Sequence, residues 1–242
     1  MIVVRKLKKN IKYIVLLVIF LGITYVLPVD DIYNSLQDVF YGSEPSYDLD
    51  SIPSYSGKDY VILNNNVPAF SGVDTSKSFE SYSKLDRFGR CGVALANIGD
   101  DLMPYGERGN IGMVKPSGWH TVKYNIVEGK YLYNRCHLIG YQLTGENANR
   151  KNLITCTRQM NTEGMLDFEN DVADYIKETG NHVLYRVTPV FDGDDLIARG
   201  VQMEALSVDD NGKGVKFNVF VYNVQDGIDI DYKTGESKLK TQ

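Results

Sequence analysis

A chain of 242 residues that is 43% hydrophobic, 24% charged and 11% aromatic, with 22 Gly and 7 Pro, has an ordinary globular mixture and excludes disordered, collagen-like and coiled-coil classes. Three Cys and three His are too few for a disulfide-built scaffold or a His-rich metal site. The net charge of −5 hides an asymmetry, because Arg5, Lys6, Lys8, Lys9 and Lys12 all precede the first acid, Asp30, and the remainder is strongly acidic. By net charge alone such a body argues against wrapping a polyanion.

The first predicted element is an address. Lys12 and Asp30 bracket an uncharged run, Tyr13 to Val29, which as a helix reaches about 26 Å, close to the hydrocarbon thickness of a bilayer. No small-x-small cleavage site follows, since Tyr25-Val26-Leu27-Pro28 is bulky throughout. We therefore expect an uncleaved N-terminal transmembrane helix within 1–29, with a cleaved secretory signal as the alternative. Positive-inside orientation then puts everything after Asp30 outside the cell. Residues 30–56, rich in Tyr, Ser, Asp and Pro, read as a stalk with a short helix around Ile32 to Phe40. Residues 57–242 read as a single domain.

In that domain Tyr60 to Leu63 predicts a short strand and Cys91 to Ala96 a buried one. His120 to Tyr124 and Tyr131 to His137 read as arms of a hairpin. The stretch from His137 to Asn161 carries Gly, Asn and Thr without a period and reads mostly as loop. Met165, Phe168, Val172, Tyr175 and Ile176 then fall on one face of a helix ending at Thr179, with Gly180 as its cap. Val183 to Phe191, Leu196 to Leu206 and Val215 to Val224 predict three strands joined by turns at Asp192-Gly193 and Asn211-Gly212. Hairpins, one helix and a meander make an α+β fold with an antiparallel sheet.

No phosphate-binding Gly loop, HExxH or CxxC occurs. What remains is a polar cluster: Asn134, Arg135 and His137, then Asn152, Asn161 and Glu169. Phosphodiester hydrolysis needs a base for water, a cation for the leaving oxygen and positive charge for the phosphate. His137 can be the base, and Asn161 with Glu169 can hold a hydrated Mg²⁺. Arg135 can grip phosphate through its fork. Each also has a bland role: a structural His at a strand end, Asn in turns and caps, a solvated Glu, an Arg paired with an acid. Lys130, Arg135, Arg150, Lys151 and Arg158, with Glu146 the one acid among them, give a local basic lining that offsets the acidic body.

The run YNRCHLIGYQLTGENANRKNLITCTRQMN, residues 133–161, resembles the signature of the DNA/RNA non-specific endonucleases, the ββα-metal or His-Me finger nucleases, including streptococcal membrane-anchored and secreted ones. The resemblance extends over roughly Cys91 to Val224. It implies a ββα-metal catalytic motif in which His137 is the general base, Arg135 is catalytic, Asn152 supports the site, and Asn161 and Glu169 hold one Mg²⁺, with Mn²⁺ able to substitute. It implies DNA as substrate, with RNA left open, and no small-molecule cofactor. The family's usual Asp-Arg-Gly-His stands here as Asn134-Arg135-Cys136-His137, which removes a carboxylate and asks the backbone to tolerate a side chain. Two other readings compete. Leu153-Ile154-Thr155-Cys156 is similar to the Thr-Leu-x-Thr-Cys of sortases, with His120 and Arg158 as partners of a Cys nucleophile. The other is a non-catalytic surface protein that binds DNA. Cys91, Cys136 and Cys156 allow three disulfide pairings, and spacing does not choose among them.

Overall fold

A computed structural model of the protein describes residues 49–241. The expected membrane helix within 1–29, and residues 30–48 of the expected stalk with its helix around Ile32 to Phe40, lie outside them. Among the described residues no helix is long and apolar enough to cross a membrane.

In chain order the strands and helices are β1 (Tyr60–Ile62), β2 (Phe79–Tyr82), β3 (Ala94–Ile98), β4 (Tyr133–His137), α1 (Tyr141–Thr144), β5 (Leu153–Thr157), α2 (Leu166–Thr179), β6 (Val183–Val190), β7 (Gly200–Ser207), β8 (Lys216–Tyr222), β9 (Ile228–Ile230) and β10 (Ser237–Leu239). The fold is α+β, as expected. Its centre is a six-stranded antiparallel sheet in the order β1-β8-β7-β6-β3-β2. Residues 49–69 and 75–241 form one compact unit.

Strand periodicity decides which side of the sheet receives the site. Ala94, Ala96 and Ile98, then Val183, Tyr185 and Val187, Val201, Met203 and Ala205, and Phe217, Val219 and Val221 alternate along their strands and gather on one face. Against that face lie Val172, Ala173 and Ile176 of α2, with Cys136, Ile154 and Cys156 of the separate β4–β5 hairpin. Two antiparallel strands followed by a helix thus rest as a unit on the sheet. Gly164, just before α2, permits close approach, because a side chain there would run into Val221.

The opposite face is partly polar. Arg186 and Glu204 form an ion pair that is nearly fully buried, and Glu204 also accepts from the Ala69 amide (2.8 Å) while Arg186 donates to the Ala69 carbonyl (2.8 Å). Each charge is therefore hydrogen-bonded again beyond its partner, which a buried pair requires. Leu49, Ile52 and Tyr55, from the described part of the 30–56 stretch, pack beside Phe220 and Tyr222 on this face.

Two expectations differ in detail. The partner of β4 is β5, not His120 to Tyr124, which contributes a single bridge from Lys123 to Tyr131. The stretch read as loop contains both α1 and β5. β5 (LITCT) is buried at every position, so it has no alternation to read.

Candidate active site

His137 ends β4 and lies at the wall of a cleft of about 800 Å³. Its Nε2 is 2.7 Å from the Asn147 carbonyl oxygen, which can only accept, so the ring proton sits on Nε2. The Nδ1 lone pair is thereby left as acceptor and takes a hydrogen bond from Arg108 Nη2 at 3.1 Å. Burial pushes the imidazole from the ordinary 6.5 down to about 4; the Asn147 bond opposes this and the Arg108 charge adds to it. The ring is neutral at pH 7, with a defined tautomer.

Asn152 holds the chain just past His137. Fully buried, it accepts from the Ile139 amide (2.8 Å) and donates to the Ile139 carbonyl (2.9 Å), while its own carbonyl accepts from Leu138 (2.9 Å). It does not line the cleft, so its place is that of a positioning residue. Asn152→Ala strands both Ile139 groups in the interior, and an expected loss of about 3 kcal/mol is measurable by urea unfolding.

Asn161 and Glu169 line the cleft from the helical arm. At 3.6 residues per turn, positions eight apart are offset by about 80° around an axis. Met160–Met165, however, forms a wide π-helical turn before α2, and that wider winding reduces the offset. Glu169 lies against Gly140, where a Cβ would come within 2.8 Å of its Oε2. Burial pushes its carboxyl up to about 8, with Arg108 pulling the other way. A desolvated carboxyl in a cleft that an amide side chain also lines is a place where a cation repays the cost of ionisation. Among the described residues no three His, Cys, Asp or Glu gather as a metal cage. One amide and one carboxylate fit a hard ion that keeps most of its waters, such as Mg²⁺, better than they fit a closed zinc site.

The basic residues divide. Arg135 lines the cleft but is already engaged: its Nε donates to the Val114 carbonyl and its Nη2 to that of Gly112 (2.9 Å), and its guanidinium lies 3.9 Å from the Trp119 ring centroid. It fastens the 112–119 loop to β4. Arg158 also lines the cleft and pairs with the exposed Glu128 (3.2 Å). Lys130, Arg150 and Lys151 are exposed on turns and are not part of the cleft wall. Asn134 lines the cleft with its Nδ2 buried and, among the described residues, without a hydrogen-bond partner. Sequence reasoning missed Arg108, which lies in an aperiodic loop and meets His137 only through tertiary structure.

Cys136 and Cys156 form a disulfide across β4 and β5, with Cα atoms 5.8 Å apart, while Cys91 is a buried thiol. The bond accounts for the cysteine that replaces glycine before His137: it has a partner on the neighbouring strand. It also removes the sortase reading, since Cys156 is fully buried and bonded, and His120 is turned to the Thr234 carbonyl (3.1 Å).

Comparison with known proteins agrees with this arrangement. Residues 72–209 match the DNA/RNA non-specific endonuclease family, and the chain belongs to that family. A deoxyribonuclease of Streptococcus dysgalactiae subsp. equisimilis is 35% identical over 118 residues, covering 47% of this chain and 34% of the relative, so the match spans about a third of that protein. Among solved structures, NucA of Streptococcus agalactiae with magnesium bound superposes with a TM-score of 0.69 at 25% identity, over 89% of this chain and all of that one. The Sda1 nuclease with bound zinc gives 0.59 at 26% identity, over 81% of this chain and all of that one.

Proposed function

We propose that this protein is a metal-dependent, sequence-non-specific endonuclease that hydrolyses DNA outside the cell that makes it. The observation carrying the reading is the Asn147-fixed tautomer of His137, which leaves Nδ1 as a neutral base at the cleft. His137 Nδ1 takes the proton of the attacking water, and the water oxygen attacks phosphorus in line with the departing 3′ oxygen, leaving a 5′-phosphate. Arg108, which donates to Nδ1 in the free protein, transfers its hydrogen bond to the incoming phosphate and frees the base. Arg158 adds positive charge along the cleft, and Arg135 keeps the wall in place. Asn161 and Glu169 would hold the Mg²⁺, which when bound supplies positive charge to the phosphate and leaving oxygens. Outside action follows from the membrane-anchor reading of residues 1–29, or secretion if that segment is cleaved, and accords with a disulfide in the catalytic hairpin.

The test is digestion of closed-circular plasmid by the soluble body in Mg²⁺, with and without EDTA. Cutting that chelation stops supports the reading; tight DNA binding with no cutting would replace it with a non-catalytic binder. The acid side of the pH–rate profile gives a second expected result. A base that protonates only near pH 4 remains active where an ordinary imidazole would not, so kcat/KM is expected to hold down to about pH 5 and then fall. Stability has the corresponding sign: between about pH 6.5 and 4 the unfolded chain binds a proton at this position that the folded chain refuses. This contribution therefore lowers stability as pH falls through that window, a trend readable from urea midpoints.

A further inference from the structure

We propose that the Cys136–Cys156 disulfide is an activity switch: the chain is silent as a nuclease while both sulfurs are thiols and becomes competent when the bond closes. The inference rests on the hydrolytic reading above and concerns when that site works.

The bond joins the two halves of the site. Cys136 immediately precedes His137, and Cys156 lies on the strand that leads into the turn carrying Asn161. The residues enclosed by the bond include Asn147, whose carbonyl sets the His137 tautomer, and Asn152, whose amide clamps Ile139. Among the described residues β4 and β5 pair only with each other, over five residue pairs, apart from the six-stranded sheet. The six strands of the sheet hold one another by their ladders, whereas the hairpin is joined to them through side chains, the two cysteines among them, in the apolar cluster it shares with the sheet. Closing the loop between positions 20 apart restricts the arrangements open to the hairpin. Opening it therefore loosens the catalytic hairpin before it loosens the fold.

The third cysteine does not compete. Cys91 is buried, its Sγ donates to the carbonyls of Arg150 and Leu153 (3.3 Å each), and burial pushes its thiol up to about 12. So little thiolate is left there for exchange. The activating step is ordinary exchange with a small disulfide: the Cys136 and Cys156 thiols reduce R–S–S–R to two R–SH, which take up both protons and both electrons, and the protein S–S bond forms. A thiol-reducing cytosol holds the chain in its silent form, and the DNA of the cell that makes it is spared.

Both sulfurs are fully buried in the folded protein, so the test controls redox state during folding. Wild type is unfolded and refolded either with oxidised glutathione or with a phosphine reductant, and both samples are assayed for plasmid cutting in Mg²⁺. The reduced sample is expected to keep its β-sheet circular dichroism and a cooperative melt but to cut about 100-fold more slowly, the scale of loss for a misplaced catalytic group. Oxidised glutathione, added after the phosphine is removed, is expected to restore cutting in wild type and in Cys91→Ser, but not in the double variant Cys136→Ser/Cys156→Ser. Equal rates for oxidised and reduced wild type would overturn the proposal. So would loss of the whole fold in both the reduced chain and a Cys136→Gly/Cys156→Ala variant, since the bond would then be a general staple. An oxidised wild type that cuts nothing would remove the hydrolytic reading, and the switch with it.

Discussion

His137→Ala is expected to cut plasmid DNA about 1,000-fold more slowly than wild type, the span associated with loss of a positioned general base. The fold should survive, because the six-stranded sheet and α2 draw nothing from the imidazole. The substitution removes the ring's hydrogen bonds to the Asn147 carbonyl and from Arg108, a change of about 2 kcal/mol. Imidazole added to the buffer should recover part of the rate by occupying the vacated space, whereas a merely structural histidine would show no such rescue. Affinity for DNA, measured with metal withheld, should be nearly unchanged, since Arg108 and Arg158 remain. A variant that cuts at the wild-type rate would end the assignment of His137 as base.

Asn161→Ala should lose at least about 100-fold in rate at low Mg²⁺ and recover in part as Mg²⁺ is raised, because the remaining ligand is a single carboxylate. Calorimetric titration of the free protein with Mg²⁺ separates this from a packing defect, since the heat of binding should fall away while the melting curve stays put. Asn161→Asp is the informative control. It keeps an oxygen in place and adds charge, so cation binding should persist or tighten. If Asn161→Ala binds Mg²⁺ as wild type does, the ion is held elsewhere.

The sheet was legible where period and punctuation agree. Val183 to Val190 and Lys216 to Tyr222 are strands bounded by turn residues, and α2 ends at a glycine in the left-handed region, Gly180, with φ of 69°. β5 was not legible, because a five-residue strand buried on both faces looks like any short apolar run. Within the site, His137, Arg135, Asn134, Asn161, Glu169 and Arg158 share one cleft; the first five stand out in the sequence as a polar cluster and through the resemblance to a known motif, and Arg158 through the local excess of basic residues. Arg108 was invisible for a different reason. Its contact with His137 spans 29 residues of chain, and nothing in the Gly- and Asn-rich stretch around it marks that approach. Lys130, Arg150 and Lys151 lie outside the cleft wall. Residues adjacent in sequence to a site sit on turns at its margin, and counting charge along the chain cannot tell which way a turn faces. The cysteine pairing needed three dimensions, because it is the strand register, 136 opposite 154 and 134 opposite 156, that makes the two cysteines diagonal neighbours.

The π-helical turn at Met160–Met165 makes segment length a functional variable. Its wide winding absorbs one residue, so that Asn161 and Glu169, eight positions apart, both line the cleft although they belong to differently wound stretches of one arm. Adding one residue within the turn, beside the exposed Glu163, would leave α2 as it is and swing everything upstream by about 100°. The amide of Asn161 would then face away from the carboxylate while every side chain named in the chemistry remained in the sequence. Substitution here is therefore tolerable where insertion is not: the arm is a phased ruler, and its tick marks matter more than its lettering.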